Sequence, residues 1–212
     1  MQTKTALKLL KNNIGFISFL VLMFACRSSL ADWNHVPTGS MKPTIMEGDR
    51  ILVDKLAYQL QLPFTNISIM DIAEPERGDI VVFESAVEDT RLVKRLIGLP
   101  GDRISMRDNR LTINGKALEY QIDAGNIIEA LDTPHAIQLV YSPRPASSFT
   151  DVIVPVDHYF VMGDNRNNSK DSRFIGFVPK HELQGKATRT LYSLNAENYY
   201  LPRTERTLAP LI

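Results

Sequence analysis

Short runs of apolar and β-branched residues, separated by turn signals, constrain the fold of this chain most strongly. Runs of this length and composition predict β-strands. They occupy residues 51–53, 80–83, 92–97, 111–113, 137–141, 152–156, 159–162 and 188–192. Beyond the N-terminal segment no stretch keeps a 3.6-residue period, so the sequence predicts a mainly β fold.

Turn signals and one poorly patterned region divide these runs. Asn114-Gly115, between apolar residues, is a strong hairpin signal because a type I′ turn needs positive φ at both central positions. Residues 99–102 predict a second turn, and short helices at 56–62 and 182–183 stay open as alternatives. Residues 119–148 are polar and contain proline, which predicts a surface insertion or loop.

The N-terminal segment combines a basic start with an apolar run. Lys4, Lys8 and Lys11 precede the run 14–26, an order that predicts insertion with the N-terminus in the cytoplasm. The run is shorter than the ~20 residues that usually cross a bilayer. We expect a helix over about 12–31 to span if Arg27 extends toward the outer interface, marked by Trp33.

The same segment also fits a second hypothesis. Ser29-Leu30-Ala31 places small residues where a leader peptidase cuts, so a signal peptide removed after Ala31 is the alternative. The order of charges favours the retained anchor. On that hypothesis residues 1–33 form the cytoplasmic terminus and anchor, and residues 34–212 form one extracytoplasmic domain.

Composition argues against several classes of protein. Lys+Arg and Asp+Glu both number 24, so no excess of positive charge indicates a nucleic-acid partner. Cys26 is the single cysteine, which rules out an intrachain disulfide and a cysteine-based metal site. The four histidines, His35, His135, His158 and His181, lack the spacing that places two ligands on one helix face.

Ser40 follows a glycine in the turn-rich stretch 37–44. A turn at this point would expose the serine hydroxyl together with neighbouring backbone N–H groups. A Gly-Ser pair is usually only a turn, so the pair by itself does not define a nucleophile.

Lys94 interrupts an apolar run that is predicted to be a strand. Alternation places Lys94 on one face with Leu92 and Leu96, and Arg95 on the opposite face. Burial would lower the pKa of the lysine, and a neutral amine could take a proton from a serine hydroxyl. The alternative is that Lys94 reaches solvent or a carboxylate.

Residues 163–173 form a polar stretch directly after an apolar run. Its aspartates, asparagines and serines favour turns that bond to their own backbone. The simplest interpretation is a solvated loop in which Asp171 and Arg173 pair, and exposed pairs contribute little stability.

Taken together in order, five blocks resemble the bacterial type I signal peptidases, the leader peptidases of family S26, which use a Ser-Lys dyad. The blocks are Ser40-Met41 with Pro43-Thr44, residues 48–53, residues 77–83, Lys94-Arg95 with 98–102, and residues 163–173. The resemblance implies an antiparallel β-sheet, signal-peptidase-like fold with an N-terminal transmembrane helix. The insertion at 119–148 and the C-terminal tail match poorly.

The resemblance also implies roles for individual residues. Ser40 would be the nucleophile and Lys94 the general base, as in other Ser-Lys hydrolases. The Ser40 N–H and the Thr38 hydroxyl would form the oxyanion hole; many relatives have serine at position 38. Ser169 would orient the lysine amine, and Asp171 and Arg173 would support that loop as an ion pair.

The family cuts after small residues at the first and third positions before the bond. The matching pocket positions here are all apolar: Val36, Met41, Ile45, Ile51, Val82, Leu92 and Val93. Shallow apolar subsites accept alanine and exclude bulk by shape. The peptide is expected to bind extended along strand edges.

The expected function is therefore that of a serine endopeptidase of the bacterial cytoplasmic membrane. It would remove signal peptides from exported preproteins through an acyl-Ser40 intermediate, without metal or organic cofactor, and its partners would be signal peptides and the lipid bilayer. The alternatives are a conjugation or pilus-protein processing peptidase of the same family, a self-cleaving repressor, and a non-catalytic anchored β module. The repressor is disfavoured because no DNA-binding helix pair is indicated.

Overall fold

The structure is a computed structural model that describes residues 13–62, 65, 67–141, 147–195 and 198–212, with the backbone alone for 25–29. The three basic residues before the predicted anchor lie outside the described residues; they are Lys4, Lys8 and Lys11.

The described residues contain two α-helices, seventeen β-strands and three short 3₁₀ helices. The helices are α1 (Ile14–Ser29) and α2 (Ser172–Ile175). The strands are β1 (Ala31–His35), β2 (Asp49–Asp54), β3 (Gln59–Gln61), β4 (Ser68–Asp71), β5 (Ile80–Ser85), β6 (Thr90–Gly98), β7 (Arg103–Arg107), β8 (Arg110–Ile113), β9 (Lys116–Ala117), β10 (Tyr120–Asp123), β11 (Asn126–Glu129), β12 (His135–Ile137), β13 (Phe149–Ile153), β14 (His158–Met162), β15 (Val178–Pro179), β16 (Leu183–Asn195) and β17 (Leu201–Pro202). Short 3₁₀ helices cover Arg166–Asn168, Lys180–Glu182 and Thr204–Arg206.

The main sheet carries the predicted site segments. Its order is β1-β2-β16-β5-β6-β14-β15, with β17 paired to β16, and all its strand pairs are antiparallel. The mainly β fold predicted from the apolar runs is confirmed. β6 lies between β5 and β14, so both of its hydrogen-bonding edges are paired, and the apolar clusters packed against its two faces bury its central charged residues.

The N-terminal helix is shorter than the predicted span of about 12–31. It ends at Ser29, because Ala31 already pairs with Asp54 at the start of the β1–β2 ladder. The Lys55 N–H donates to the Leu30 carbonyl at 3.0 Å and closes this corner. Within the described part of the chain, none of the helices has the length and apolar character needed to span a membrane.

The two predicted turns are confirmed. Asn114 and Gly115 have φ of 52° and 80°, and they join β8 to β9 as the type I′ signal requires. At the other turn the Asp102 N–H donates to the Leu99 carbonyl at 3.0 Å, and Gly101 has a φ of 86°. The first possible short helix, at 56–62, is not formed, because this segment contains strand β3. The second, at 182–183, overlaps the 3₁₀ helix that ends at Glu182.

For residues 119–148 the sequence predicts a surface insertion or a loop, and the structure rules out the loop alternative for the stretch 120–137. Strands β10, β11 and β12 form a three-stranded antiparallel sheet, termed here the insert sheet. Strands β10 and β11 give no long apolar run, because polar residues flank Ile122, Ile127 and Ile128, and much of the surface of β10 is exposed. The predicted strand at 137–141 was wrong beyond its first residue, since β12 covers His135–Ile137. Residues 142–146 lie outside the described residues.

Three apolar clusters stabilise the domain, and two of them frame the site. One contains Met41 and Ile45, which are 1 % and 0 % exposed, beneath the turn that carries Ser40. Another contains Val81 and Leu96 from β5 and β6, with Leu92 at its margin. The third lies between β14 and the four-stranded sheet β13-β7-β8-β9.

Candidate active site

Ser40 lies in a tight turn directly after β1. The turn begins where the Val36 N–H donates to the Asp49 carbonyl at 3.0 Å, which extends the β1–β2 ladder by one residue. Met41 and Ile45 are buried and fix the far side of the turn. The Ser40 side chain is left half-buried at the surface, where a substrate can reach it.

Lys94 lies in the middle of β6, and its amine points at Ser40. The Lys94 Nζ is 2.7 Å from the Ser40 Oγ and 3.1 Å from the Val93 carbonyl oxygen. Only 3 % of Lys94 is exposed. Its cross-strand neighbour is Val81, which belongs to the same apolar cluster as Leu96, so the lysine lies in the apolar row that alternation predicts.

Burial shifts the acid–base equilibrium of Lys94. Removal from water disfavours the ammonium form and lowers the pKa of Lys94 to about 8, from 10.5. The negative charges of Asp171 and Asp164 act in the opposite direction but do not cancel the desolvation. A large fraction of the amine is therefore neutral in mildly alkaline solution, in contact with a hydroxyl.

The polar segment 163–173 holds the backbone of the serine turn. The Asn165 N–H donates to the Ser40 carbonyl at 3.0 Å, and the Asn165 side-chain amide donates to the Gly39 carbonyl at 3.0 Å. Gly163 makes this approach possible, since a Cβ there would overlap the Ser40 carbonyl and the Ser169 side chain. This role of Asn165 was not foreseen from the sequence.

Ser169 lies near the dyad, but its hydroxyl does not contact the lysine amine. The residue is 8 % exposed, and among the described residues its Oγ has no hydrogen-bond partner. The hydrogen bonds of the Lys94 amine go to Ser40 and to the Val93 carbonyl. Orientation of Lys94 by Ser169 therefore stays a prediction.

Asp171 and Arg173 form a buried ion pair. The Arg173 Nη2 is 2.7 Å from the Asp171 Oδ2, and the two side chains are 2 % and 0 % exposed. Asp171 also caps α2 and accepts the Gly163 N–H at 3.0 Å. The pair is thus part of the interior, unlike the exposed pair of the simplest sequence interpretation.

A cleft of about 330 Å³ opens beside the two reactive atoms. Four of the predicted pocket residues line it: Val36, Met41, Leu92 and Val93. Thr38, which is exposed, lines the same cleft near Ser40. The other three predicted pocket residues, Ile45, Ile51 and Val82, are 0 % exposed and pack beneath it, so they shape the floor without lining the opening.

The burial of Arg95 is the feature of β6 that differs most from the sequence analysis. It is 0 % exposed, and its guanidinium makes two hydrogen bonds of 2.8 Å to the Asp164 carboxylate. It also donates to the main-chain oxygens of Gly78 and Ile212 at 2.9 Å. Thr44 donates to the same carboxylate at 2.5 Å. Alternation indicates the face on which Arg95 lies, but not the carboxylate that allows its burial.

The fold and the site define an antiparallel β protein in which a buried lysine amine contacts a serine hydroxyl at a cleft. The model of the family "Signal peptidase, peptidase S26" matches residues 10–192. Signal peptidase I of Pseudomonas aeruginosa is 34% identical over 195 residues, which cover 82% of this chain and 69% of the relative. Signal peptidase I P of Bacillus subtilis subsp. natto is 34% identical over 177 residues, covering 83% and 85%.

A crystal structure of a signal peptidase I from Enterococcus faecalis V583 is 32% identical in sequence. The match has a TM-score of 0.39 and covers 55% of this chain and 99% of that chain. By the family model and the curated relatives, the chain belongs to the S26 signal peptidases, and it is a serine peptidase of the signal peptidase I type.

Proposed function

We propose that this enzyme removes signal peptides from exported preproteins with Ser40 as nucleophile and Lys94 as general base. The observation that carries the proposal is the 2.7 Å contact between the Lys94 Nζ and the Ser40 Oγ, made by an amine that is almost fully buried. Such a lysine can accept a proton near neutral pH without a histidine.

The proposed acylation begins with neutral Lys94. Its amine donates to the Val93 carbonyl, which leaves the lone pair to accept the hydroxyl proton of Ser40. The Ser40 Oγ then attacks the scissile carbonyl carbon and forms a tetrahedral intermediate. The Ser40 N–H and the Thr38 hydroxyl would stabilise the oxyanion, because both belong to the rim of the cleft.

Collapse of the intermediate breaks the carbon–nitrogen bond. The ammonium of Lys94 gives its proton to the leaving amine, the mature protein departs, and an acyl-Ser40 ester remains. Neutral Lys94 then takes a proton from water, which attacks the ester. Collapse breaks the ester bond, Lys94 returns the proton to the Ser40 oxygen, and the signal peptide leaves as a carboxylic acid that loses its proton to solvent.

The pH dependence of kcat/KM should report the lysine. We expect kcat/KM to rise with pH through an apparent pKa of about 8 and then to level off, because only the neutral amine accepts the serine proton. The measurement is the initial rate of preprotein cleavage between pH 6 and pH 10. A rise centred near the ordinary pKa of histidine, or no rise at all, would count against a lysine base.

The cleft supports cleavage after small residues. Its walls are apolar at Val36, Leu92 and Val93, and the fully buried Ile45 and Val82 pack in one cluster with Val36 behind the wall. A shallow apolar wall backed by a packed core accepts a methyl group and excludes larger side chains by overlap. We therefore propose Ala-x-Ala-like sites, bound by an extended peptide along β1 and along the first half of β6, residues 90–94, which β14 does not pair.

The function is tested by cleaving a mixed set of preproteins in detergent and sequencing the new ends. We expect ends that follow small residues with the wild type and no cleavage with Ser40→Ala. Ser105→Ala, in β7 outside the cleft, is the matched control and should cleave as the wild type does. Undiminished cleavage by Ser40→Ala would contradict the proposal. Cleavage of pilus or conjugation proteins alone would indicate the specialised relative.

We also propose that the enzyme is anchored in the cytoplasmic membrane, with residues 34–212 on the extracytoplasmic side. Support comes from α1, where Ile14, Phe16, Phe19 and Leu22 are each more than half exposed, so the described residues leave most of their apolar surface uncovered. We expect the chain to stay with the membrane fraction after a carbonate wash. Release of a soluble product that begins after Ala31 would identify a cleaved signal peptide instead.

A further inference from the structure

The insert sheet contacts the active-site segment through one buried ion pair. Arg166, which lies in the segment 163–173, is 1 % exposed, and Glu129 of β11 is 0 % exposed. The Arg166 Nη1 donates to the Glu129 Oε2 at 2.7 Å, and the Nη2 donates to the Oε1. A two-bond pair of this kind fixes both position and orientation.

The surroundings of Glu129 fit a permanently charged carboxylate. Burial alone would raise the pKa of Glu129, but the charge of Arg166 overrides it and holds that pKa well below its usual range. The Tyr120 hydroxyl donates to the Glu129 Oε2 at 2.6 Å. The His135 Nε2 lies 3.4 Å from Glu129 and 3.9 Å from Asp164.

The backbone joins the insert sheet to the same segment. The Gln138 N–H donates to the Asp164 carbonyl at 2.8 Å, and the Arg166 N–H donates to the Gln138 carbonyl at 2.9 Å. Together they form a short parallel bridge between Gln138 and Asn165. The Arg166 carbonyl also accepts from Arg173 at 2.5 Å.

This connection ends at the nucleophile. Asn165, next to Arg166, donates its backbone N–H to the Ser40 carbonyl and its side-chain amide to the Gly39 carbonyl, both at 3.0 Å. The path from Glu129 to Ser40 therefore consists of one ion pair, one peptide unit and two hydrogen bonds. Arg166 is thus joined to the serine turn through its direct chain neighbour.

We propose that Glu129 is a positioning residue for catalysis: from the insert sheet it holds Arg166, and through Asn165 it sets the position of Ser40 against Lys94. This inference rests on the proposed function of Ser40 and Lys94. The insert sheet is thus part of the active-site support, although Glu129 and Arg166 touch neither substrate nor reacting atoms. A small displacement of a nucleophile costs rate far more than it costs binding.

The test separates positioning from folding with one single and one double variant. Arg166→Met leaves the Glu129 charge buried without a partner and lowers the unfolding temperature, whereas Glu129→Gln/Arg166→Met removes both charges and should restore much of it. Asp151→Asn is the matched control, since Asp151 pairs with Arg103 on the exposed surface. Preprotein cleavage is measured at a temperature where every variant is folded.

We expect kcat to fall by about 10- to 100-fold in both the single and the double variant, with KM changed less than about threefold. The rate at which an activated aryl ester acylates Ser40, measured by mass spectrometry, should fall in parallel. If the double variant regains both the unfolding temperature and the kcat of the wild type, the pair only supports folding and the proposal is wrong.

Ser40→Ala in the same assay keeps the two proposals apart. Cleavage by the wild type and none by Ser40→Ala would support the proposed function, whatever the double variant does. If the wild type cleaves no preprotein, the proposed function fails, and acylation of Ser40 by the aryl ester still decides the role of Glu129.

Discussion

Lys94→Met is expected to lower kcat/KM for preprotein cleavage by roughly 10⁴-fold or more, while the protein stays folded. Methionine has a similar length and fills the apolar row beside Val81 and Leu96, but it cannot accept the Ser40 proton. Lys94→Arg is the matched charged variant and should be equally inactive, since a guanidinium is not deprotonated in proteins. Cleavage by either variant within tenfold of the wild type would exclude Lys94 as the base.

Lys94→Met should also make the domain more stable at neutral pH. The pKa of Lys94 is lowered to about 8 by burial, so below pH 8 the folded state carries a desolvated ammonium that costs up to about 3 kcal/mol. The unfolded chain binds that proton more tightly, so wild-type stability rises as the pH rises from 8 to 10.5. We expect Lys94→Met to raise the free energy of unfolding at pH 7 and the gain to vanish near pH 10.5.

Arg95→Met is expected to lower the free energy of unfolding by about 3–5 kcal/mol, the largest stability effect that we predict. The substitution leaves the Asp164 carboxylate buried, with Thr44 as its remaining close donor. It also removes the bonds to the main-chain oxygens of Gly78 and Ile212. Chemical denaturation monitored by circular dichroism measures the change.

The control for this variant is Arg103→Met. Arg103 pairs with Asp151, but the two side chains are 56% and 52% exposed. Loss of an exposed pair changes stability by less than about 1 kcal/mol. Equal losses for Arg95→Met and Arg103→Met would show that burial of the Arg95–Asp164 pair contributes nothing.

Local pattern was enough to predict much of the main sheet. The apolar runs that contain Ile51, Ile80, Lys94 and Tyr159 are strands because β-branched and aromatic side chains pack between covered sheet faces. Alternation in β6 also placed Lys94 in an apolar row. These features depend on near neighbours in sequence, which is why a single sequence contains them.

Features that depend on distant partners could not be predicted in the same way. The insert sheet is held by Glu129 and Arg166, which are 37 residues apart and look like ordinary surface charges in the sequence. Arg95 is buried only because Asp164 meets it from 69 residues away. In both cases the cost of burying a charge is offset by a partner that only the folded chain supplies.

The active-site contacts likewise include some that the sequence predicts and others that depend on distant parts of the chain. The resemblance indicated Ser40 and Lys94, and the structure brings their side chains within 2.7 Å. The resemblance gave no role to Asn165, because its two hydrogen bonds to the serine turn depend on how the segment 163–173 folds back onto that turn. Ile45 and Val82 were expected in the pocket but lie beneath it, because apolar composition does not distinguish a cleft wall from the core behind it.

Direct titration of the Lys94 side chain tests most closely whether a neutral lysine activates Ser40. With ¹³C-labelled lysine, the Cε resonance that disappears in Lys94→Met can be followed from pH 6 to pH 12. We expect its midpoint near pH 8, as burial of the amine requires. A midpoint near the ordinary lysine value of about 10.4 would mean that the amine is charged at working pH, and would contradict the mechanism.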